Sequence, residues 1–176
     1  MAKEAGADMI GVIAFTKSPR CVDPLAIRDI FDAVPSLTRC CVAHEPSAEQ
    51  LDAICALSPD VIQVSCEVPI PDSCNAMVFR SIRAGDALPA DADAIVVDAS
   101  RGSGLLYDAA YAVSVVRSAQ VPVFLAGGLN PENVARAART VQPSGVDVAT
   151  GVEYAPGKKD REKVRAFVER AKGVIL

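Results

Sequence analysis

Short apolar runs of strand length recur along the chain at near-regular intervals: 9–15, 39–43, 61–64, 77–82, 94–98, 121–125 and 145–149. Most are bounded by Gly, Pro or Asp, the punctuation expected of short buried strands. Between them the apolar positions switch to helical spacing. Asp23-Pro24 opens one helix, with Leu25, Ile27, Ile30, Phe31 and Val34 on its apolar face. Pro46-Ser47 opens the next, through Leu51, Ile54 and Cys55. There Ser47 as N-cap and Gln50 three residues on make a capping-box pattern. Helices are also predicted over 107–118, 131–140 and 160–172, while residues 2–7 read as the last turns of a helix feeding the first strand. The segments after Val64 and Ile82 are short and contain prolines, which predicts brief helix or none.

Strand alternating with helix implies βα units and a parallel sheet. Either a doubly wound sheet or a (β/α)₈ barrel accommodates that order. The pattern holds seven strands and starts in mid-repeat. It therefore fits an α/β chain with a (β/α)₈ TIM-barrel fold lacking its first strand and most of its first helix, with residues 1–176 forming one domain. Seven strands leave two exposed edges where a barrel would close.

Composition narrows the function classes. The chain is 51% hydrophobic but only 5% aromatic, without Trp, so Ala, Val, Ile and Leu must fill the core. A net charge of −4 argues against sequence-independent nucleic-acid binding, which needs a basic face. No apolar run is long enough to span a membrane, and the N-terminal residues lack the apolar core of a signal peptide, so a cytoplasmic protein is expected. Six cysteines stand at 21, 40, 41, 55, 66 and 74 with no C-x-x-C pair, and His44 is remote from any cysteine cluster. Metal ligation is not expected, and most thiols should be buried and reduced. Cys40 and Cys41, adjacent on a strand, must face opposite sides.

The stretch Phe124-Leu-Ala-Gly-Gly-Leu-Asn-Pro-Glu-Asn-Val134 carries the strongest chemical signal. Gly127 and Gly128 follow an apolar strand and let backbone N–H groups approach an anion. Asn130-Pro131 then opens a helix, whose N-terminal donors and dipole should face the same point. Gly151, after the next strand, would complete a phosphate cradle. Without a ligand the same residues would make only a tight strand-to-helix turn.

Four motifs in order resemble those of the phosphoribosylanthranilate isomerase family, an enzyme of tryptophan biosynthesis. They are Lys17-Ser-Pro-Arg20; Asp98 with Gly102-Ser-Gly104; Ala126-Gly-Gly-Leu-Asn-Pro-Glu-Asn133; and Gly145-Val-Asp-Val-Ala-Thr-Gly-Val-Glu153 followed by Pro156-Gly-Lys-Lys-Asp160. The resemblance covers essentially the whole chain. It implies a (β/α)₈ barrel with neither metal nor organic cofactor, acting on a phosphorylated small molecule, N-(5′-phosphoribosyl)anthranilate, by an Amadori rearrangement. That reaction needs an acid to open the furanose ring and a base to take the C2′ proton. By resemblance Asp98 is the general acid, kept protonated by an apolar surround; otherwise it caps the loop that follows. Arg20 would recognise the anthranilate carboxylate. Gly127, Gly128, Thr150 and Gly151 would hold the phosphate. Gly102 and Gly104 would belong to a loop closing over substrate. Asp147 would support the amine side, or else be a buried structural acid.

Two departures stand out. Ala149-Thr-Gly151 replaces the expected Ser-Ser-Gly, and Arg101-Gly-Ser-Gly104 replaces Gly-Gly-Thr-Gly. A larger one is that the family's base, a cysteine in Lys-x-Cys-Gly on the first strand, has no counterpart. Cys41 and Cys66 lie nearest strand C-termini and are poor substitutes. Either the chain is the truncated form of an ordinary isomerase, or it has lost the activity and survives as a phosphate-binding or interaction protein. Association into a homo-oligomer is one way its barrel would close.

Overall fold

The computed structural model describes residues 1–65, 68–71, 73–98 and 108–175. Seven strands form one parallel sheet in chain order: β1 (Met9–Ile13), β2 (Thr38–Ala43), β3 (Val61–Val64), β4 (Met77–Ile82), β5 (Ala94–Asp98), β6 (Val123–Ala126) and β7 (Gly145–Val146). Each of the seven runs expected from the sequence yields a strand. Several stop short. Phe15 adopts φ 53, a left-handed conformation that ends the first run at Ile13. An antiparallel hairpin of β8 (Glu153–Ala155) and β9 (Lys158–Lys159) follows β7 and was not expected.

The helices are α1 (Ala2–Ala5), α2 (Pro24–Ala33), α3 (Ala48–Ala56), α4 (Ala109–Ser118), α5 (Val134–Val141) and α6 (Arg161–Lys172). Their starts follow from side-chain caps. Asp23 accepts from Leu25 N at 2.9 Å with Pro24 in the first turn, and Ser47 and Gln50 form the reciprocal capping box. Asp108 caps α4, and Asp160 accepts from both Glu162 N and Lys163 N. On α2, Ile27 and Phe31 are buried, but Leu25, expected on the apolar face, is 76% exposed because it sits in the capped first turn, clear of the sheet. Among the described residues no helix lies between β3 and β4 or between β4 and β5. No helix in the described residues is long and apolar enough to cross a membrane.

Alternation along the strands sorts the core into an outer and an inner layer. Ile95 and Val97 of β5, with Leu125 of β6, join α4, α5 and α6 on the helix side. Cys41, Ile62 and Val64 join α2 and α3 there. The opposite face gathers Cys40, Val61, Phe79, Ala94, Val96 and Ala126, with Met9 and Phe124 against them. One apolar cluster touching strands from β1 to β6 requires the sheet to be curled, with that face as its concave side. Burying Val61, Ile62, Ile95 or Val97 on a two-sided sheet contributes about 1.5–3 kcal/mol each. Gly145 fits the crowded interior for a steric reason: a Cβ there would lie 2.5 Å from the Phe124 ring.

Strands β1 and β7 are the edges of this sheet. Around the outside, the two ends approach one another. Ala5 of α1 packs into the cluster that holds Phe167 and Ala171 of α6. Arg161 pairs with Glu4 at 2.7 Å and Lys172 with Asp8 at 2.8 Å.

Candidate active site at the C-terminal rim

The inner face of the sheet ends in two carboxylates. On β5, Ala94, Val96 and Asp98 point inward while Ile95 and Val97 face the helices. Asp98 pairs in register with Ala126, the last residue of β6. One strand further, Asp147 follows Gly145 on the inward side of β7, its N–H bonded to the Leu125 carbonyl at 2.9 Å. Asp147 keeps contact with solvent at the mouth, yet protein walls crowd it. That crowding raises its carboxyl above the ordinary range, and the negative charge of Asp98 pushes in the same direction. The Val148 N–H and the Lys159 ammonium oppose both.

Between these acids the chain leaves β6 through Gly127 (φ 87) and Gly128 (φ 65). Left-handed backbone costs other residues about 1–2 kcal/mol, so the turn selects glycine. Two asparagines brace the segment beyond the glycines. Asn130 Oδ1 accepts from Glu132 N and Asn133 N, both at 3.0 Å. Asn133 Oδ1 accepts from Asn130 N at 2.8 Å, and its Nδ2 donates to the Gly128 carbonyl at 3.0 Å. This corrects the reading of Asn130-Pro131 as a helix start. The helix begins at Val134, and Asn130 already consumes donors that were expected to face an anion.

Donors come instead from the short 3₁₀ turn Thr150–Val152. Gly151 is pressed so closely onto the Gly127–Asn130 turn that a Cβ would fall on the Leu129 carbonyl oxygen. The amides of Gly128, Thr150 and Gly151 donate to no other described residue. The two glycine segments singled out from the sequence are thus in van der Waals contact, with main-chain donors available.

Arg20 lies on the loop after β1. Its Nε donates to both carboxylate oxygens of Glu153, at 3.0 and 3.1 Å, and its Nη2 to Oε2 at 2.7 Å. Glu153 also accepts from Lys159 Nζ at 3.1 Å, and Lys159 reaches the Ala149 carbonyl at 2.7 Å. These two cations hold the Glu153 carboxyl well below its ordinary value, at about 2, with the Arg20 hydrogen bonds as the largest cause. Sequence reasoning placed Glu153 and Lys159 in motifs but assigned them no role. A pairing across 133 residues leaves no local signal.

The cysteines occupy unfavourable ground for proton abstraction. Cys41 faces the helix layer, and burial pushes its thiol up to about 12. Cys40 faces the interior but is raised further, first by burial and then by Asp147. Gly102, Gly104 and Cys66 lie outside the described residues. Among the described residues no three His, Cys, Asp or Glu side chains converge as metal ligands.

Comparison with known proteins decides the family. The model of the family described as PRAI, N-(5'phosphoribosyl)anthranilate (PRA) isomerase, matches residues 1–170. The chain belongs to the phosphoribosylanthranilate isomerase family. It is 44% identical over 173 residues to N-(5'-phosphoribosyl)anthranilate isomerase from Methanoregula boonei, covering 97% of this chain and 89% of that one. TrpF from Jonesia denitrificans superposes with a TM-score of 0.82 at 32% identity, covering 98% of this chain and 90% of that structure. A phosphoribosyl anthranilate isomerase crystallised with reduced 1-(o-carboxyphenylamino)-1-deoxyribulose 5-phosphate superposes with a TM-score of 0.78 at 29% identity, covering 98% and 91%. Membership makes the protein an isomerase of tryptophan biosynthesis with a curled, barrel-type parallel sheet.

Proposed function

We propose that this isomerase converts N-(5′-phosphoribosyl)anthranilate to 1-(2-carboxyphenylamino)-1-deoxyribulose 5-phosphate, with its acid and binding groups among residues 1–176. The observation that carries this reading is the convergence on one rim of inward-facing Asp98 and Asp147 with the contacting turns of Gly127–Gly128 and Thr150–Gly151.

The substrate phosphate binds the main-chain donors of Gly128, Thr150 and Gly151 at the exit of β6 and β7, with Gly127 setting the turn. The aryl carboxylate reaches Arg20 at the opposite end. Between them Asp98 protonates the ring oxygen, giving a Schiff base. A base then takes the C2′ proton, and the resulting enolamine tautomerises to the ketone. Asp147, whose raised carboxyl can share a proton, supports the amine side.

Neither Cys40 nor Cys41 serves as base, since one is buried in the interior floor and the other faces the helices. The family's base, a cysteine in Lys-x-Cys-Gly, has no counterpart among residues 1–176. Turnover measured as loss of substrate fluorescence should therefore be absent or nearly so for residues 1–176. General acid–base groups contribute about 10²–10⁴-fold each, so the deficit should be large. Robust turnover would mean that another residue abstracts the proton. Binding needs no base: the reduced product analogue should raise the melting temperature.

A further inference from the structure

The Arg20–Glu153 pair joins the two ends of the sheet. Arg20 hangs on the loop after one edge strand, and Glu153 follows the other edge strand. The loop itself is stiff: Ser18 Oγ accepts from Arg20 N, and Cys21 N and Val22 N bond back to the Ser18 and Ile13 carbonyls. Gly157 at φ 75, in the hairpin beyond Glu153, brings its Cα close enough to the Pro19 carbonyl that a Cβ would lie 3.3 Å away. Glu153 is 6% exposed and Arg20 24% exposed, so the carboxylate is the buried anchor and the guanidinium the reaching group.

The hydrogen bonds dictate which edge of the guanidinium remains. A guanidinium carries five N–H donors in a planar fork. Glu153 takes the Nε edge and the adjoining hydrogen of Nη2. The Nη1–Nη2 edge donates to no described residue, and that edge matches a second carboxylate side by side. We propose that Glu153 is a positioning residue that fixes the Arg20 fork so its outer edge meets the aryl carboxylate of the ligand. This rests on the reading of Arg20 as the carboxylate contact. Holding a long side chain in one rotamer removes an entropy cost that ligand binding would otherwise meet. Lys159 shares the same carboxylate and holds the Ala149 carbonyl through its own ammonium.

The test compares two ligands by calorimetry on the full chain. One is reduced 1-(o-carboxyphenylamino)-1-deoxyribulose 5-phosphate; the other is its phenylamino counterpart without the carboxylate. Glu153→Gln should weaken the first about tenfold, a change of about 1.4 kcal/mol, and leave the second within about twofold. Arg20→Lys, which keeps the charge but loses the fork, should reproduce that selectivity, and Glu153→Asp should recover part of it. Equal losses for both ligands, or no loss for either, would overturn the assignment. If Glu153→Gln does not fold, Arg20→Lys and Glu153→Asp decide it on the same criterion. Failure of the underlying reading looks different: the parent chain would then bind the two ligands equally well, or bind neither.

Discussion

At the β6–β7 end of the rim the chain presents main-chain amides, whereas at the β1 end it presents one long charged side chain. The first end needs glycine because backbone must touch backbone: Gly151 against Leu129, with Gly127 and Gly128 in left-handed conformations. The second needs a buried counter-charge, since the Glu153 carboxylate is what the Arg20 Nε and Nη2 donate to and so sets the rotamer. A site built from backbone is broken by adding an atom. A site built from side chains is broken by removing a charge.

The largest effect should come from the first kind of damage. Gly151→Ala places a methyl on a carbonyl oxygen in the wall, an overpacking that costs about 3 kcal/mol or more. Denaturant unfolding should report that loss, along with abolished binding of the reduced product analogue. Wild-type stability would mean that the two turns are not in contact. Asn133→Ala should follow at about 1–3 kcal/mol, because it strands the Asn130 N–H and the Gly128 carbonyl at a nearly buried position.

The side-chain end should reveal itself through pH. Glu153 titrates lower in the folded chain than its ordinary 4.5, so its pairing stabilises the fold above that value. That stability drains away as pH falls toward about 2. A tenfold change in proton affinity is worth about 1.36 kcal/mol, so a fall from 4.5 to about 2 puts the effect on the order of 3 kcal/mol. Melting curves from pH 5 to pH 2 should flatten in Glu153→Gln; an unchanged acid limb would show the pair to be energetically idle. Asp147 has the opposite sign. Its folded value is raised, so stability declines as pH climbs through the window above the ordinary 3.8. Asp147→Asn should remove that decline and raise the melting temperature at neutral pH while weakening ligand binding, the usual exchange at a functional acid.

The smallest effect should fall on the outer ring. Lys172→Ala breaks an exposed pair with Asp8, and such pairs contribute about 0–1 kcal/mol. A larger loss would point to α6 as a main clasp between the sheet's ends. One whole-molecule measurement sharpens the comparison further. With β1 and β7 as open edges, residues 1–176 should be poorly soluble or oligomeric. A monodisperse monomer with two-state melting would count against an open barrel.

Much of this architecture was legible in the order of residues. The seven strands read clearly because a curled sheet buries both faces, making the strands short, mostly apolar runs such as Ala94-Ile-Val-Val97. The helix starts at Asp23 and Ser47 read clearly because their donors and acceptors lie two or three residues apart. The start of α5 misled, since Asn130-Pro131 has the look of a cap while the Asn130–Asn133 exchange delays the helix to Val134. Leu25 misled as well, because periodicity places a residue on a face but does not say how far the neighbouring layer extends.

Local order along the chain therefore settled the seven strands, most of the helices and the glycine turns, all consequences of forces acting over a few residues. Tertiary structure alone decided that Gly151 would abut Leu129 and that Glu153 would grip Arg20. Those contacts join segments far apart in the chain, and only the curvature of the packed sheet, set by all seven strands together, brings them within bonding distance.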